Sequence, residues 1–248
     1  DAVFQARKEG LAPIASVWAQ QQTLIEHLVE IWHEPDDGIW EVRGGRQQFT
    51  FSKVMAWVAL DRSVRDAERF QLQAPLDRWR QVRDEIHATV CEQGFNKSKN
   101  AFTQTLGGNE LDASLLLMPI VGFLPADDPR VIGTVAAIEK ELVVDGLVLR
   151  YRTKTGVDGL PPGEGVFLPC SFWLADNYSM QNRDAEAKAL FERLLSLCND
   201  VGLLAEEYEP RARRLAGNFP QAFSHLALIG TALNLHDGGP ATQRPPAE

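Results

Sequence analysis

Two acidic stretches carry the side chains best suited to chemistry. In DGIWEVRGGRQQFTFSK, residues 37–53, Glu41 follows Trp40 and precedes Arg43, boxed in by glycines before a helical pattern begins. Far downstream, GLLAEEYEPRARRLAGNFPQAFSH, residues 202–225, sets Glu206 and Glu207 in an irregular segment between two helical runs. Two acidic sites on loops suggest a carboxylate pair acting across one pocket, one group giving a proton while the other takes one or attacks. Carboxyl groups suit both roles, because burial and mutual repulsion push their pKa values apart. A pair that activates water between its members also needs room for that water. Loops at helix ends, facing each other across a pocket, would supply that space. Chain order alone does not choose between Glu206 and Glu207.

The elements that must hold these loops are helical. DAVFQARKEG reads as the end of a helix stopped by Gly10, and apolar spacing predicts a second helix over 16–33. Further helices are predicted over 49–69, 76–93, 111–121, 128–142, 166–179, 184–198 and 219–235, the last with Pro220 at an early helical position. FNKSKNAFTQTLGGNE is a polar loop with a short extended piece. DGLVLRYRTKTGVDGLPPGEG is the least helical part, and alternation in LVLRY predicts a short strand pair before a loop rich in glycine and proline. The pattern predicts an all-α chain of eight or nine helices over residues 1–236, followed by a loosely attached tail over 237–248. No strict 33 to 40 residue repeat is visible, which favours a closed toroid of helical hairpins over an open solenoid.

Composition excludes several classes. A formal charge of −9 argues against a duplex nucleic-acid partner. No apolar run reaches membrane-spanning length; LLLMPIVGFL is short and holds a proline. Cys91, Cys170 and Cys198 are widely spaced and form no CxxC pair, which fits reduced thiols and a cytoplasmic location. Neither metal-ligand spacing nor a calcium-loop pattern occurs, so no metal or cofactor is expected. Six tryptophans and twelve phenylalanines offer aromatic surface for a core or a sugar platform.

GIWEVRG, FTFSKVMAWVALDR, LDASLLLMPIVGFLP, DGLPPGEGVFLPCSFWLADNY, GLLAEEYEP and GNFPQAFSH, in that order, resemble segments of glycoside hydrolase family 15, the glucoamylases, glucodextranases and some bacterial trehalases. The likeness runs from the first residues to about Leu235. It implies an (α/α)6 barrel of twelve helices, of which this chain covers the later two-thirds or so. It further implies inverting hydrolysis of α-glucosidic bonds from the nonreducing end, with Glu41 as general acid and Glu206, first of its E-x-[YF] segment, as general base. Glu207 becomes a substrate or base-orienting contact.

By the same resemblance Trp40 is either a wall of the sugar pocket or a core tryptophan anchoring the loop, and Arg43 is a donor at the second subsite. Arg150 is expected on the hydroxyls of the nonreducing glucose, with Arg152 as runner-up and a strand salt bridge as the plain alternative. Glu164 contributes to the same pocket. His225 lines the pocket or bonds a carbonyl of the base loop, which Asn218 and Gln221 brace. Lys53 reads as a surface residue or one behind the site, and Phe172 and Trp173 as core. Val42 stands where fungal members carry a second glutamate, which weakens an inference to long starch chains.

The substrate implied is a small α-glucoside, with glucoamylase and trehalase activity both open. A different class of reading treats the chain as a truncated, non-catalytic barrel fragment or carbohydrate-binding module, because the Arg-Asp pair that the family draws from an early barrel loop is missing before Glu41. A preceding part of the same protein, or a second copy of the chain, would then be its partner. Terpene-cyclase chemistry would want clustered aspartates on inward helix faces, and these are absent.

Overall fold

The computed structural model describes residues 1–152 and 165–240. Its order is α1 (Ala2–Lys8), α2 (Ala15–Ile31), α3 (Thr50–Phe70), α4 (Leu76–Gln93), the hairpin β1 (Phe95–Asn96) and β2 (Ala101–Phe102), then α5 (Leu117–Ile120) and α6 (Pro129–Leu142). The hairpin β3 (Val143–Val144) and β4 (Leu147–Val148) follows, then β5 (Val166–Phe167), α7 (Leu168–Met180), α8 (Asp184–Leu195), β6 (Glu207–Glu209), β7 (Arg214–Ala216) and α9 (Ala222–Asp237). The fold is all-α, and its nine described helices form part of an α/α toroid.

Local chemistry explains most boundaries. Asp128 caps α6 by accepting from the Arg130 amide at 2.8 Å, with Pro129 at the first turn. α4 spans the range predicted for it, between Pro75 and Gly94. Between β3 and β4 the turn residues Asp145 and Gly146 both take positive φ, +52° and +71°, which closes the expected strand pair as a two-residue hairpin.

Three expectations change. Residues 111–121 form no continuous helix: the Asp112 carboxylate accepts from the Ser114 amide and starts a 3₁₀ turn, Ala113–Leu116, before the single turn of α5 with Pro119. The last helix begins at Ala222, with Gln221 as its cap, and Pro220 lies before it after a cis peptide bond. The acidic segment near residue 206 is more regular than expected, because Glu207 belongs to β6 in an antiparallel sheet ordered β5-β6-β7. Of the tail expected over 237–248, residues 241–248 lie outside the described residues.

The core has two centres. Trp18, Leu60, Trp79, Ile86 and Phe102 belong to one between α2, α3 and α4. Ile138, Leu142, Phe172, Leu174 and Leu194 belong to the other, around α6, α7 and α8. α3 buries residues on nearly every face, including Lys53, Asp61, Arg62 and Asp66, so it is an inner helix with polar groups matched to specific partners. α7 is likewise buried from Leu168 to Asn177. Phe172 is fully buried and Trp173 nearly so, as expected of core residues. These two inner helices carry the segments that hold the acidic side chains.

Candidate active site

The loop from Asp36 to Gln47 is drawn closed at its neck, where Asp36 and Gln47 exchange backbone hydrogen bonds of 2.9 Å each way. Inside it, the Glu41 amide donates to Gly38 O at 3.2 Å and the Val42 amide to Asp37 O at 2.9 Å, a tight turn that puts Glu41 at φ +49°. A non-glycine residue in the left-handed region is strained by roughly 1 kcal/mol or more. The turn tolerates it because both neighbours are fixed: Val42 is buried, and the Trp40 indole N–H sits 3.0 Å from both carboxylate oxygens of Asp112. Glu41 itself is exposed, and its carboxyl has no hydrogen-bond or ion-pair partner among the described residues. Arg43, two residues on, is also exposed.

Asp112 is fully buried. Burial pushes its carboxyl up from the ordinary range, against hydrogen bonds from Ser114, Gln104 and Trp40 that pull it back. Every one of these partners donates, so the ionised form is the one they satisfy. One residue on, the Ala113 amide donates to Arg150 O at 2.8 Å. Arg150 then returns to the same indole: its guanidinium carbon lies 5.4 Å from the Trp40 ring centre, 5.6 Å from Tyr151 and 5.7 Å from Phe167. The cation is held among aromatic faces, and Nη2 lies 3.9 Å from Glu207 Oε1. Arg150 thus follows β4 rather than sitting in it, and it forms an ion pair with Glu207. Arg152 points elsewhere, toward Glu141 at 3.5 Å.

Trp40 also meets Phe167 edge-on at 5.5 Å and Trp173 at 6.4 Å, so it is half-buried and anchors the loop, as the second of its two expected roles required. Phe167 pairs in register with Glu207, and the Leu168 amide donates to Glu206 O at 3.2 Å. The two acidic stretches, some 165 residues apart in sequence, are therefore linked through one aromatic contact and one sheet.

Glu206 is half-buried at the head of β6. Its Oε2 accepts from the Asn218 amide at 3.1 Å and from Asn218 Nδ2 at 2.9 Å, while its own amide donates to Asn218 O at 2.9 Å. Oε1 has no partner among the described residues. Gly217, at φ +74°, lies against this carboxyl so closely that a Cβ there would stand 2.9 Å from Oε2. Glu207 turns its Oε2 to the Gly165 amide at 3.2 Å. Gln221 braces the same loop through its amide, which donates to Leu204 O at 3.0 Å, so Asn218 and Gln221 both act as expected.

His225 reaches the loop that carries Glu206 through an amide, where a carbonyl was one of its two expected partners. Its Nε2 accepts from the Leu204 amide at 3.1 Å, so it serves an N–H and not a carbonyl, with the ring proton on Nδ1. Glu164 lies outside the described residues. Lys53 is not a surface residue: its side chain is 3% exposed and its ammonium donates to Glu34 O at 2.6 Å. Asp36 and Asp112 were not foreseen. The D-x-S pattern of LDAS was the one available signal for Asp112, since a carboxylate two residues before a serine commonly caps a turn. Among the described residues no cluster of metal-ligating side chains occurs, and no helix is long and apolar enough to cross a membrane.

Residues 1–233 match the family described as glycosyl hydrolases family 15. Over 220 residues the chain is 50% identical to a trehalase of Mycobacterium tuberculosis, a match covering 89% of this chain and 32% of that protein. A trehalase of Thermoplasma volcanium is 38% identical over 237 residues, covering 95% of this chain and 38% of its own. Among solved structures, a bacterial glucoamylase complexed with acarbose superposes with a TM-score of 0.74 at 15% identity, covering 94% of this chain and 41% of that one, a likeness of fold alone. The chain thus spans about a third of the length of the relatives it matches in sequence.

Proposed function

Since the chain belongs to glycosyl hydrolases family 15, we propose that it is the portion of a trehalose-hydrolysing enzyme that carries both catalytic carboxyls. Glu41 is the general acid, protonating the oxygen that leaves with one glucose. Glu206 is the general base: with Oε2 held by Asn218, its Oε1 is left to take a proton from the water that attacks the anomeric carbon. Attack from the face opposite the departing oxygen inverts the α-linkage and releases one glucose as the β-anomer. Arg150, with its planar fork set beside Glu207, binds sugar hydroxyls, and Trp40 offers its ring to pyranose C–H groups. Arg43 and Glu164 would meet the second glucose and the first, respectively, and His225 supports the base loop through Leu204.

The observation that carries the substrate is the 50% identity over 220 residues to a protein named trehalase. The likeness to glucoamylases is one of fold at 15% identity and carries no substrate, so maltooligosaccharide hydrolysis is the second choice. A trehalase pocket must close over a second glucose, and Val42 in place of a second carboxylate after the acid suits a small, specific leaving-group site.

The test is glucose release from trehalose, maltose, maltotriose and isomaltose, with the anomer identified by proton NMR, for the 248-residue chain and for the natural protein that contains this sequence. Trehalose should be the preferred substrate and β-glucose should appear first. Glu41→Gln and Glu206→Gln should each lower kcat by about 10²-fold or more. Preference for maltotriose would replace the substrate, full activity in either variant would remove the site, and inactivity of the short chain beside an active natural protein would make this chain a barrel fragment.

A further inference from the structure

Among the described residues the Glu41 carboxyl has no hydrogen-bond or ion-pair partner, and the turn beneath it is fastened to α3 from one side. Lys53, buried on the first turns of α3, donates to Glu34 O at 2.6 Å and lies 3.6 Å from Asp36 Oδ2. The other oxygen of Asp36 accepts from Ser52 Oγ at 2.6 Å and from the Gly38 amide at 2.8 Å. Gly38 O in turn accepts from the Glu41 amide. A continuous run of polar contacts therefore leads from the inner helix through Asp36 and Gly38 to the residue proposed as the acid.

We propose that Lys53, acting through Asp36, is a positioning residue that holds the Glu41 carboxyl at the leaving oxygen. The inference rests on the assignment of Glu41 as general acid. A lysine here is costly as a packing element: burial lowers the pKa of its ammonium, with Asp36 opposing, and a methionine would occupy the same buried space without desolvating a charge. What a methionine cannot do is hold Glu34 O and Asp36 together at the neck of the loop. The catalytic consequence follows from geometry, since an acid displaced by about 1 Å can lose on the order of 10²-fold in rate.

The test compares leaving groups in the natural protein that carries this sequence. Glucose leaves trehalose only with a proton, whereas fluoride leaves α-glucosyl fluoride with little protonation, so a fault in the acid alone separates the two. Glu41→Gln is the reference and should lose about 10²-fold or more in kcat on trehalose while losing little on the fluoride. Lys53→Met should show the same selectivity at smaller size, roughly 10- to 100-fold on trehalose with KM unchanged, and near wild-type turnover of the fluoride. Asp36→Asn, which keeps an oxygen for Gly38 and Ser52 but removes the charge that faces Lys53, should fall in the same direction and serves if Lys53→Met does not fold. Equal losses on both substrates, or no loss in a folded variant, overturn the positioning role. Equal losses in Glu41→Gln itself would instead overturn Glu41 as the acid.

Discussion

Two buried aspartates with the same direction of pKa shift should answer oppositely to one substitution. Asp176 on α7 is pushed up to about 7 by burial, against hydrogen bonds from Asn234 and Thr231. The Thr231 hydroxyl lies 3.3 Å from Phe172 O, which can only accept, and 3.1 Å from Asp176 Oδ2. One hydroxyl proton cannot serve both, but a protonated Asp176 donating to Thr231 satisfies every group. An asparagine with its NH₂ toward Thr231 reproduces that form. Because the folded pKa lies above the unfolded value, native Asp176 binds more protons than the unfolded chain, and stability falls as pH rises from about 4 to about 7. Asp176→Asn should match the wild type near the lower limit and exceed it above the upper one, by on the order of 4 kcal/mol, in denaturant titrations at both pH values. Asp112 has donors on both oxygens, so Asp112→Asn turns an NH₂ against an N–H and should cost about 2–3 kcal/mol at neutral pH, with altered Trp40 fluorescence. A stable Asp112→Asn or a pH-independent Asp176 contribution would contradict these protonation states.

At the scale of elements, the site is held by a short sheet placed before an inner helix. β5 runs directly into α7, and its pairing with β6 sets Glu206 at a strand edge beside Trp40's aromatic neighbours. β7 returns at Gly217, whose left-handed backbone brings Asn218 under the Glu206 carboxyl. Gly217→Ala should therefore act on Glu206, the proposed base. The methyl group would stand 2.9 Å from Oε2 and 3.0 Å from the Glu206 Cβ, and an L-residue is strained at φ +74°. We expect a fall in kcat of about 10-fold or more on trehalose with the fold retained, read by steady-state kinetics beside circular dichroism. Wild-type kinetics in that variant would show that Glu206 does not need this close approach.

On the scale of the molecule, the described helices leave apolar faces open. Phe223, Leu226, Ile229 and Leu233 fall on one stripe of α9 and are each about half-exposed or more, while α9's buried polar groups Thr231 and Asn234 face α7. At α2 and the residue before it, Leu24 and Ile14 are also exposed. A contiguous apolar stripe of this length is unusual on a monomer's surface. The 248-residue chain alone should associate with rising concentration in sedimentation velocity, and Leu226→Glu combined with Ile229→Glu should shift it toward monomer. A wild-type chain that stays monomeric at every concentration would show that the stripe is tolerated in water.

The sequence by itself determined the all-α class, most helix boundaries and the family, because apolar periodicity, capping residues and motif order are local properties of the chain. It also placed Asn218 and Gln221 as braces of the loop that carries Glu206. Tertiary structure alone decided what depends on partners distant in sequence: that Trp40 is pinned by Asp112, that Arg150 returns over the same indole, and that His225 receives an amide rather than serving a carbonyl. Lys53 shows the reason most plainly. A lysine at the start of a helix reads as solvated, and only the approach of the Glu34 and Asp36 backbone and carboxylate makes its burial affordable. Hydrogen bonds between segments leave no periodic trace in either one, so the frame that holds these carboxyls became visible only when the chain was folded.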